Sequence, residues 1–228
     1  MATWHGRPAR DTTKMAVPPE GILQVDPKLE TRRGAYLPHW TREGATYAVR
    51  FRLNDSLPRN VLESWEFERQ DIIGTANQMG RPLTPHEEER LDGLFSEKVD
   101  KYLHQGAGKC CLREDRIAKI VADALAFFYG SRYRLFAWCV MPNHVHVVLQ
   151  PMNEHDLPGI LHSWKSYTAK EINRVLGTKG QLWETEYYDH LIRNEGDFHA
   201  QIEYVLTNPQ RAGLQNWRWA GVARASRP

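Results

Sequence analysis

Residues 141–149, Met141-Pro142-Asn143-His144-Val145-His146-Val147-Val148-Leu149, decide how this chain folds. Pro142-Asn143 is turn chemistry. Tyr133 to Met141 before it and His144 to Gln150 after it are rich in strand formers, so the segment reads as two strands joined by a turn. Successive side chains of a strand point to opposite faces. His144 and His146 therefore share one face, and Val145, Val147 and Leu149 the other. Two imidazoles two residues apart make a ready pair of metal ligands. The competing reading is two histidines on a solvated face. The apolar run around them says that the strand is largely buried, which makes an unliganded pair costly and shifts the balance toward a metal.

Working outward, Thr46 to Leu53 alternates and forms a first strand, ended by Asn54-Asp55-Ser56-Leu57-Pro58. Residues 59–78 form one helix. Thr84 as N-cap, Pro85 at the first helical position and Glu87 closing a capping box start another, which runs to about His104 and is broken by Gly106-Ala107-Gly108. This pair reads as an insertion. Arg116 to Tyr129 is a helix with Ile117, Ile120, Val121, Ala124, Leu125 and Phe128 on one face. Leu157 to Leu176 is an amphipathic helix ending at Gly177, Glu186 to Arg193 a strand, and Phe198 to Thr207 a short helix stopped by Asn208-Pro209. The order implies an α+β fold, an antiparallel sheet with helices on one face plus the inserted helical pair. Residues 1–30 read as a flexible arm, 31–217 as the folded domain with its insertion at about 59–105, and 218–228 as a short basic tail.

The chain has 228 residues, of which 41% are hydrophobic and 25% charged, too apolar for a disordered protein and long enough to bury a core. No stretch approaches the roughly 18 apolar residues that span a membrane, and the N-terminus lacks the apolar run of a signal peptide. Cys110, Cys111 and Cys139 are odd in number, with two adjacent, so no disulfide framework is implied and a reducing cytoplasm is the expected compartment. The net charge of +2 conceals an asymmetry. Residues 1–54 hold nine Lys/Arg against five Asp/Glu, residues 55–130 ten against fourteen, and residues 131–228 eleven against nine. Basic ends around an acidic middle suit an anionic partner.

In the short helix after Asp197, Phe198, Ile202 and Val205 form the apolar stripe at about 100° per residue. Tyr204 lies well off that stripe, and Asn208 follows one turn later on nearly the same face. Tyr204 could be a surface tyrosine and Asn208 a helix stop, or the two could face a site.

The ordered set resembles the single-tyrosine HUH transposases, and within them the REP-associated tyrosine transposases. It comprises Met141-Pro142-Asn143-His144-Val145-His146, Gly180-Gln181-Leu182-Trp183, Tyr187-Tyr188-Asp189, Glu203-Tyr204-Val205-Leu206-Thr207-Asn208-Pro209 and its continuation Gln210-Arg211-Ala212-Gly213-Leu214. Tyr36-Leu37-Pro38-His39-Trp40 and Asp55-Ser56-Leu57-Pro58 are similar to a subgroup, so the resemblance covers roughly residues 33–217. It implies a ferredoxin-like fold, a divalent cation (Mg²⁺ or Mn²⁺) held by His144, His146 and Asn208, and Tyr204 as nucleophile. The implied partner is single-stranded DNA folded into REP-like hairpins, met by a monomer or homodimer in the cytoplasm and nucleoid, with no membrane. Attack by Tyr204 would leave a 5′-phosphotyrosine and a free 3′-OH. Tyr167, Tyr187 and Tyr188 are the rival nucleophiles.

DNA contacts are expected from Arg50 and Arg52 on the first strand, the basic stripe Lys165, Lys170 and Arg174, and Trp183 as a stacking platform. The competing readings are a core residue for Trp183, the commoner place for a tryptophan, and a solvated helix face for the basic stripe. The acidic insertion is where DNA should not bind. Two other readings remain. One is a hairpin-binding module with little turnover. The other is a zinc hydrolase using His144 and His146, which lacks a third histidine because Val147 and Val148 follow.

Overall fold

In the computed structural model, the described residues are 30–33, 38–41, 44–87, 90–91 and 97–223, with backbone alone described for 30–33, 38–41 and 97–98. Of the expected arm, residues 1–30, all but Glu30, the first residue of a strand, lie outside them, as does the end of the tail, 224–228.

β1 (Glu30–Arg33) and β2 (Pro38–Thr41) form an antiparallel pair. The main sheet contains β3 (Tyr47–Arg52), β4 (Tyr133–Val140), β5 (His144–Pro151), β6 (Tyr188–Leu191) and β7 (Ala220–Val222), in the spatial order β6-β3-β5-β4-β7 and antiparallel throughout. Five helices are named here: α1 (Arg59–Gln78), α2 (Glu97–His104), α3 (Asp115–Phe127), α4 (Leu157–Leu176) and α5 (Glu195–Arg211). The run β3-α3-β4-β5-α4-β6 is a βαββαβ unit whose fourth, first, third and second strands lie side by side, the ferredoxin-like arrangement. The α+β antiparallel class is therefore borne out.

Strand alternation sorts the side chains. Tyr47, Val49 and Phe51 of β3 and Val145, Val147 and Leu149 of β5 face one core. Ile117, Val121 and Leu125 of α3, with Ile160, Leu161, Trp164 and Ile172 of α4, cover that face. A bulge in β4 between Leu135 and Ala137 shifts its alternation by one residue, so Trp138 and Val140 stay in the same core as Leu135. The other face carries Ala48, Ala137, Cys139 and Val148, covered by Phe198, Ile202 and Val205 of α5. Helices thus lie on one face as expected, and α5 adds a cover to the opposite one.

Two local expectations differ from the structure. Pro209 does not stop α5, which runs on to Arg211. Phe198, Ile202, Val205 and Pro209 are all buried, so the packed stripe continues through the proline and compensates for the hydrogen bond its ring removes. Residues 220–222, read as tail, form edge strand β7 against Ala137–Cys139.

The insertion has its own small core of Leu57, Trp65, Ile72, Leu91, Val99 and Leu103. Its second helix starts with a capping box as read, with Glu87 accepting from the Thr84 backbone N–H at 2.8 Å and Thr84 Oγ1 accepting from the Glu87 N–H at 3.3 Å. Its two ends meet: the Lys109 N–H donates to Asp55 at 3.0 Å, and a Cβ on Gly108 (φ +84°) would stand 2.4 Å from the Asp55 carbonyl oxygen. No helix among the described residues is long and apolar enough to cross a membrane.

Gly108→Ala should destabilise the fold by more than about 1 kcal/mol, because it combines a left-handed backbone with a collision against the main chain. Asp156 caps α4 by accepting from the Gly159 N–H at 3.0 Å, so Asp156→Ala should cost about 1 kcal/mol. Urea unfolding of the two variants measures both values.

Candidate active site

The strand register builds the site. His144 and His146 share the α5 face of β5, with Arg52 opposite His144 and Arg50 opposite His146 on β3, and Cys139 beside His146 on β4. The imidazoles are 0% and 4% exposed, with ring centroids 4.8 Å apart at 82°. Burial depresses both imidazole pKa values well below the ordinary histidine range, aided at His144 by His146 and at His146 by Arg50 and His104.

Asn143, buried completely, fixes which nitrogen of His144 carries the proton. Its Nδ2 donates to the Leu103 and Ala107 carbonyls at 3.2 and 3.1 Å, so its Oδ1 faces His144 Nδ1 at 2.7 Å and must accept from it. The hydrogen therefore sits on Nδ1, and Nε2 keeps a free lone pair. Nε2 of His144 and of His146 are buried without a hydrogen-bond partner. A neutral imidazole oriented through its other nitrogen, with an unshared pair in a buried place, is the form that ligates metals.

α5 brings the remaining groups. Asn194 caps the helix by accepting from the Asp197 N–H at 2.9 Å, and the buried stripe turns Tyr204 and Asn208 toward the histidines. The Tyr204 ring stands edge-on to His146 at 5.5 Å, and Arg211 lies 4.8 Å over the ring. Its hydroxyl donates to the Asp100 carboxylate, whose other oxygen receives Arg50. Burial, then the Asp100 charge and hydrogen bond, push the phenol pKa well above its usual value. Asn208 is 0% exposed; its Oδ1 is 3.2 Å from His104 Nε2, and its Nδ2 is buried without a partner. Among the described residues no three His, Cys, Asp or Glu side chains converge on one point. The donors that could hold a cation here are His144, His146 and the Asn208 amide.

The expected DNA contacts are dispersed. Arg50 is buried beside Asp100, with Tyr188 5.2 Å beneath its guanidinium. Arg52 pairs with Glu184 at 2.9 Å. Both line a cleft of about 370 Å³ with Trp65, Arg69, Tyr187 and Tyr188. Lys165, Lys170 and Arg174 lie on α4, across the sheet from the histidines. Lys165 donates to the Thr185 carbonyl at 2.7 Å, and Arg174 pairs with Glu171 at 2.7 Å. Trp183, expected to stack bases, is instead a core residue, 4% exposed, edge-on to Phe51 at 4.9 Å, with its N–H on Thr168 at 2.9 Å. Its spacing in the sequence could not reveal that Phe51 and Thr168 would enclose it. Of the rival tyrosines, Tyr167 is on α4 and 55% exposed.

Three further residues belong to the site without a motif in the sequence to mark them: Asn143, in the turn before β5, and Asp100 and His104, in the acidic insertion. The i, i+4 spacing of the last pair was the available signal.

Residues 113–207 match the family model described as transposase, IS200 like. The chain is 27% identical over 82 residues to a REP-associated tyrosine transposase of Escherichia coli (strain K12), a match covering 36% of this chain and 47% of that protein. It is 22% identical over 106 residues to a candidate REP-associated tyrosine transposase of Haemophilus influenzae, covering 40% of this chain and 60% of the relative. The matches thus span about half the length of these curated relatives. A solved structure of a REP-associated tyrosine transposase bound to a REP hairpin aligns with 14% identity over 83% of this chain and 80% of that one, at a TM-score of 0.44. The resemblance read from the motifs is borne out by the family match and the named relatives.

Asn143→Ala should cost about 1–3 kcal/mol, since it strands two carbonyls and a ring N–H that Asn143 now satisfies. Urea unfolding reads the loss; wild-type stability would mean that those three bonds are not made.

Proposed function

We propose that this chain, similar to the IS200-like transposases over residues 113–207, is a metal-dependent single-stranded DNA endonuclease and strand transferase acting on DNA hairpins. The observation that carries the reading is the placement of Tyr204 on α5 against a buried histidine pair whose Nε2 atoms have no partner, with Asn208 buried one turn further on beside His104.

In this reading His144, His146 and Asn208 would hold a divalent cation, Mg²⁺ or Mn²⁺, which would supply polarisation of the scissile phosphate and offset charge developing in the transition state. Every other part belongs to the chain. Tyr204 Oη attacks the phosphorus and gives up its proton, the bond to the 3′ oxygen breaks and that oxygen takes up a proton, and the DNA is left with a 3′-OH on one side and a 5′-phosphotyrosine on the other. The phosphotyrosine keeps the phosphodiester energy, so a second 3′-OH can attack it, release the phenol and complete strand transfer without another energy source. A phenol of ordinary pKa near 10 is a weak nucleophile. Burial and Asp100 raise the Tyr204 pKa above even that value, so the phenol is protonated in the free protein. Arg50, buried beside the reacting tyrosine, adds fixed positive charge where a phosphate would sit. The cleft next to this point carries Arg50, Arg52, Arg59 and Arg69 but also Glu63, Glu66, Glu184 and Glu186, and Trp65 in its wall is packed in the insertion core, so its charge is balanced rather than basic. We place the activity in the cytoplasm, on nucleoid DNA.

The test uses a pool of 3′-labelled single-stranded hairpin oligonucleotides incubated with the protein and Mn²⁺. An SDS-resistant labelled adduct should form with the wild type, vanish in Tyr204→Phe and fall at least about a hundredfold in His144→Ala. An adduct that survives Tyr204→Phe would move the nucleophile elsewhere, with Tyr187 and Tyr188 next in line. Tight hairpin binding with no adduct under any condition would favour a binding module.

A further inference from the structure

Two pairs of residues, each spaced i, i+4, face one another across the site. Asp100 and His104 stand one turn apart on α2, Tyr204 and Asn208 one turn apart on α5. Asp100 receives the Tyr204 hydroxyl, and His104 meets the Asn208 amide at 3.2 Å. The two contacts match in order, so one helix face reads the other along its length. α2 also reaches the histidine strand, because the Leu103 carbonyl accepts from Asn143, which in turn orients His144.

We propose that α2 of the insertion is a wall of the active site, in which Asp100 positions the Tyr204 hydroxyl and His104 positions the Asn208 amide for a cation. The inference rests on the transposase reading given above.

The argument for His104 is one of hydrogen-bond accounting. With its oxygen toward His104, Asn208 leaves Nδ2 buried with no acceptor. A buried orphan donor is costly, whereas the two ends of an amide have nearly the same shape. With its hydrogen on Nδ1, His104 accepts at Nε2 from Asn208 Nδ2, and the amide turns its oxygen into the place where the orphan now sits. The His104 ring is 6.3 Å from that of His144, and the Asn208 amide that meets His104 is itself completely buried, which puts the amide in the neighbourhood of the histidine pair. That is the donor set a hard divalent cation accepts: an oxygen oriented by an outer partner beside two nitrogens. For Asp100 the argument is orientation. Arg50 holds one carboxylate oxygen, and with both groups largely buried the other is fixed against the phenol. The nucleophile is thereby kept from rotating toward solvent.

Mn²⁺ binding to the full-length chain without DNA, followed by the electron paramagnetic resonance signal of free Mn²⁺, tests the first half. His104→Ala should weaken affinity about 10- to 100-fold, as outer-shell losses do, and His104→Gln, which keeps a partner for the amide, should restore most of it. Tyr204→Phe should leave Mn²⁺ affinity unchanged. The second half is read from the hairpin pool: Asp100→Ala should lower the single-turnover adduct rate about a hundredfold with half-saturating DNA concentration unchanged. Wild-type Mn²⁺ affinity in His104→Ala, or a wild-type rate in Asp100→Ala, overturns the corresponding role. A wild-type protein that binds Mn²⁺ but forms no adduct contradicts the transposase reading while the His104 variants still decide the cation half; one that binds no Mn²⁺ overturns both.

Discussion

Two imidazoles are buried on the central strand with neither Nε2 satisfied, and much of the structure follows from holding them there. A buried polar atom without a partner is unfavourable, and proteins retain such atoms where something else is to bind. β5 can carry them because its other face, Val145, Val147 and Leu149, is anchored in the main core under α3 and α4. Stability is thus supplied from one side of the sheet, which leaves the other side to carry polar chemistry. Asn143 fixes the first imidazole, α5 closes over both, and the insertion seals the remaining side through Asp100 and His104.

This division explains which parts could be read from the sequence. Period-2 alternation in β3 and β5 and the apolar stripes of α3, α4 and α5 are local signals, and each appears where the pattern indicates. The capping box at Thr84 and the end of α4 at Gly177, with φ of 65°, are local as well. What was not legible was long-range. Pro209 is a helix stop by its own preferences, yet the buried stripe running from Phe198 through it overrides them. β7 is too short to announce itself and exists because β4 offers it an edge. Trp183 and Lys165 are ordinary candidates for DNA contact until Phe51 and Thr168 enclose the one, and the Thr185 carbonyl takes the other.

The site divides in the same way. His144, His146, Tyr204 and Asn208 stand in two short motifs, and the structure brings all four to one face of the sheet. Asp100 and His104 lie about a hundred residues upstream of their partners, in a segment whose acidic character suggests a solvated surface. Only the packing of α2 against the site, through Val99 and Leu103 in the insertion core, discloses their place. The acidic middle of the chain therefore lends single residues to the centre of a site whose surroundings carry arginines.

The central claim, that Tyr204 is the atom that joins DNA, can be read directly by peptide mass spectrometry. Trypsin should release residues 194–211, between Arg193 and Arg211, as one peptide whose single tyrosine is Tyr204. After reaction with hairpin DNA and nuclease digestion, that peptide should carry a nucleotide linked through phosphate. The same mass on residues 180–193, which hold Tyr187 and Tyr188, would contradict the account.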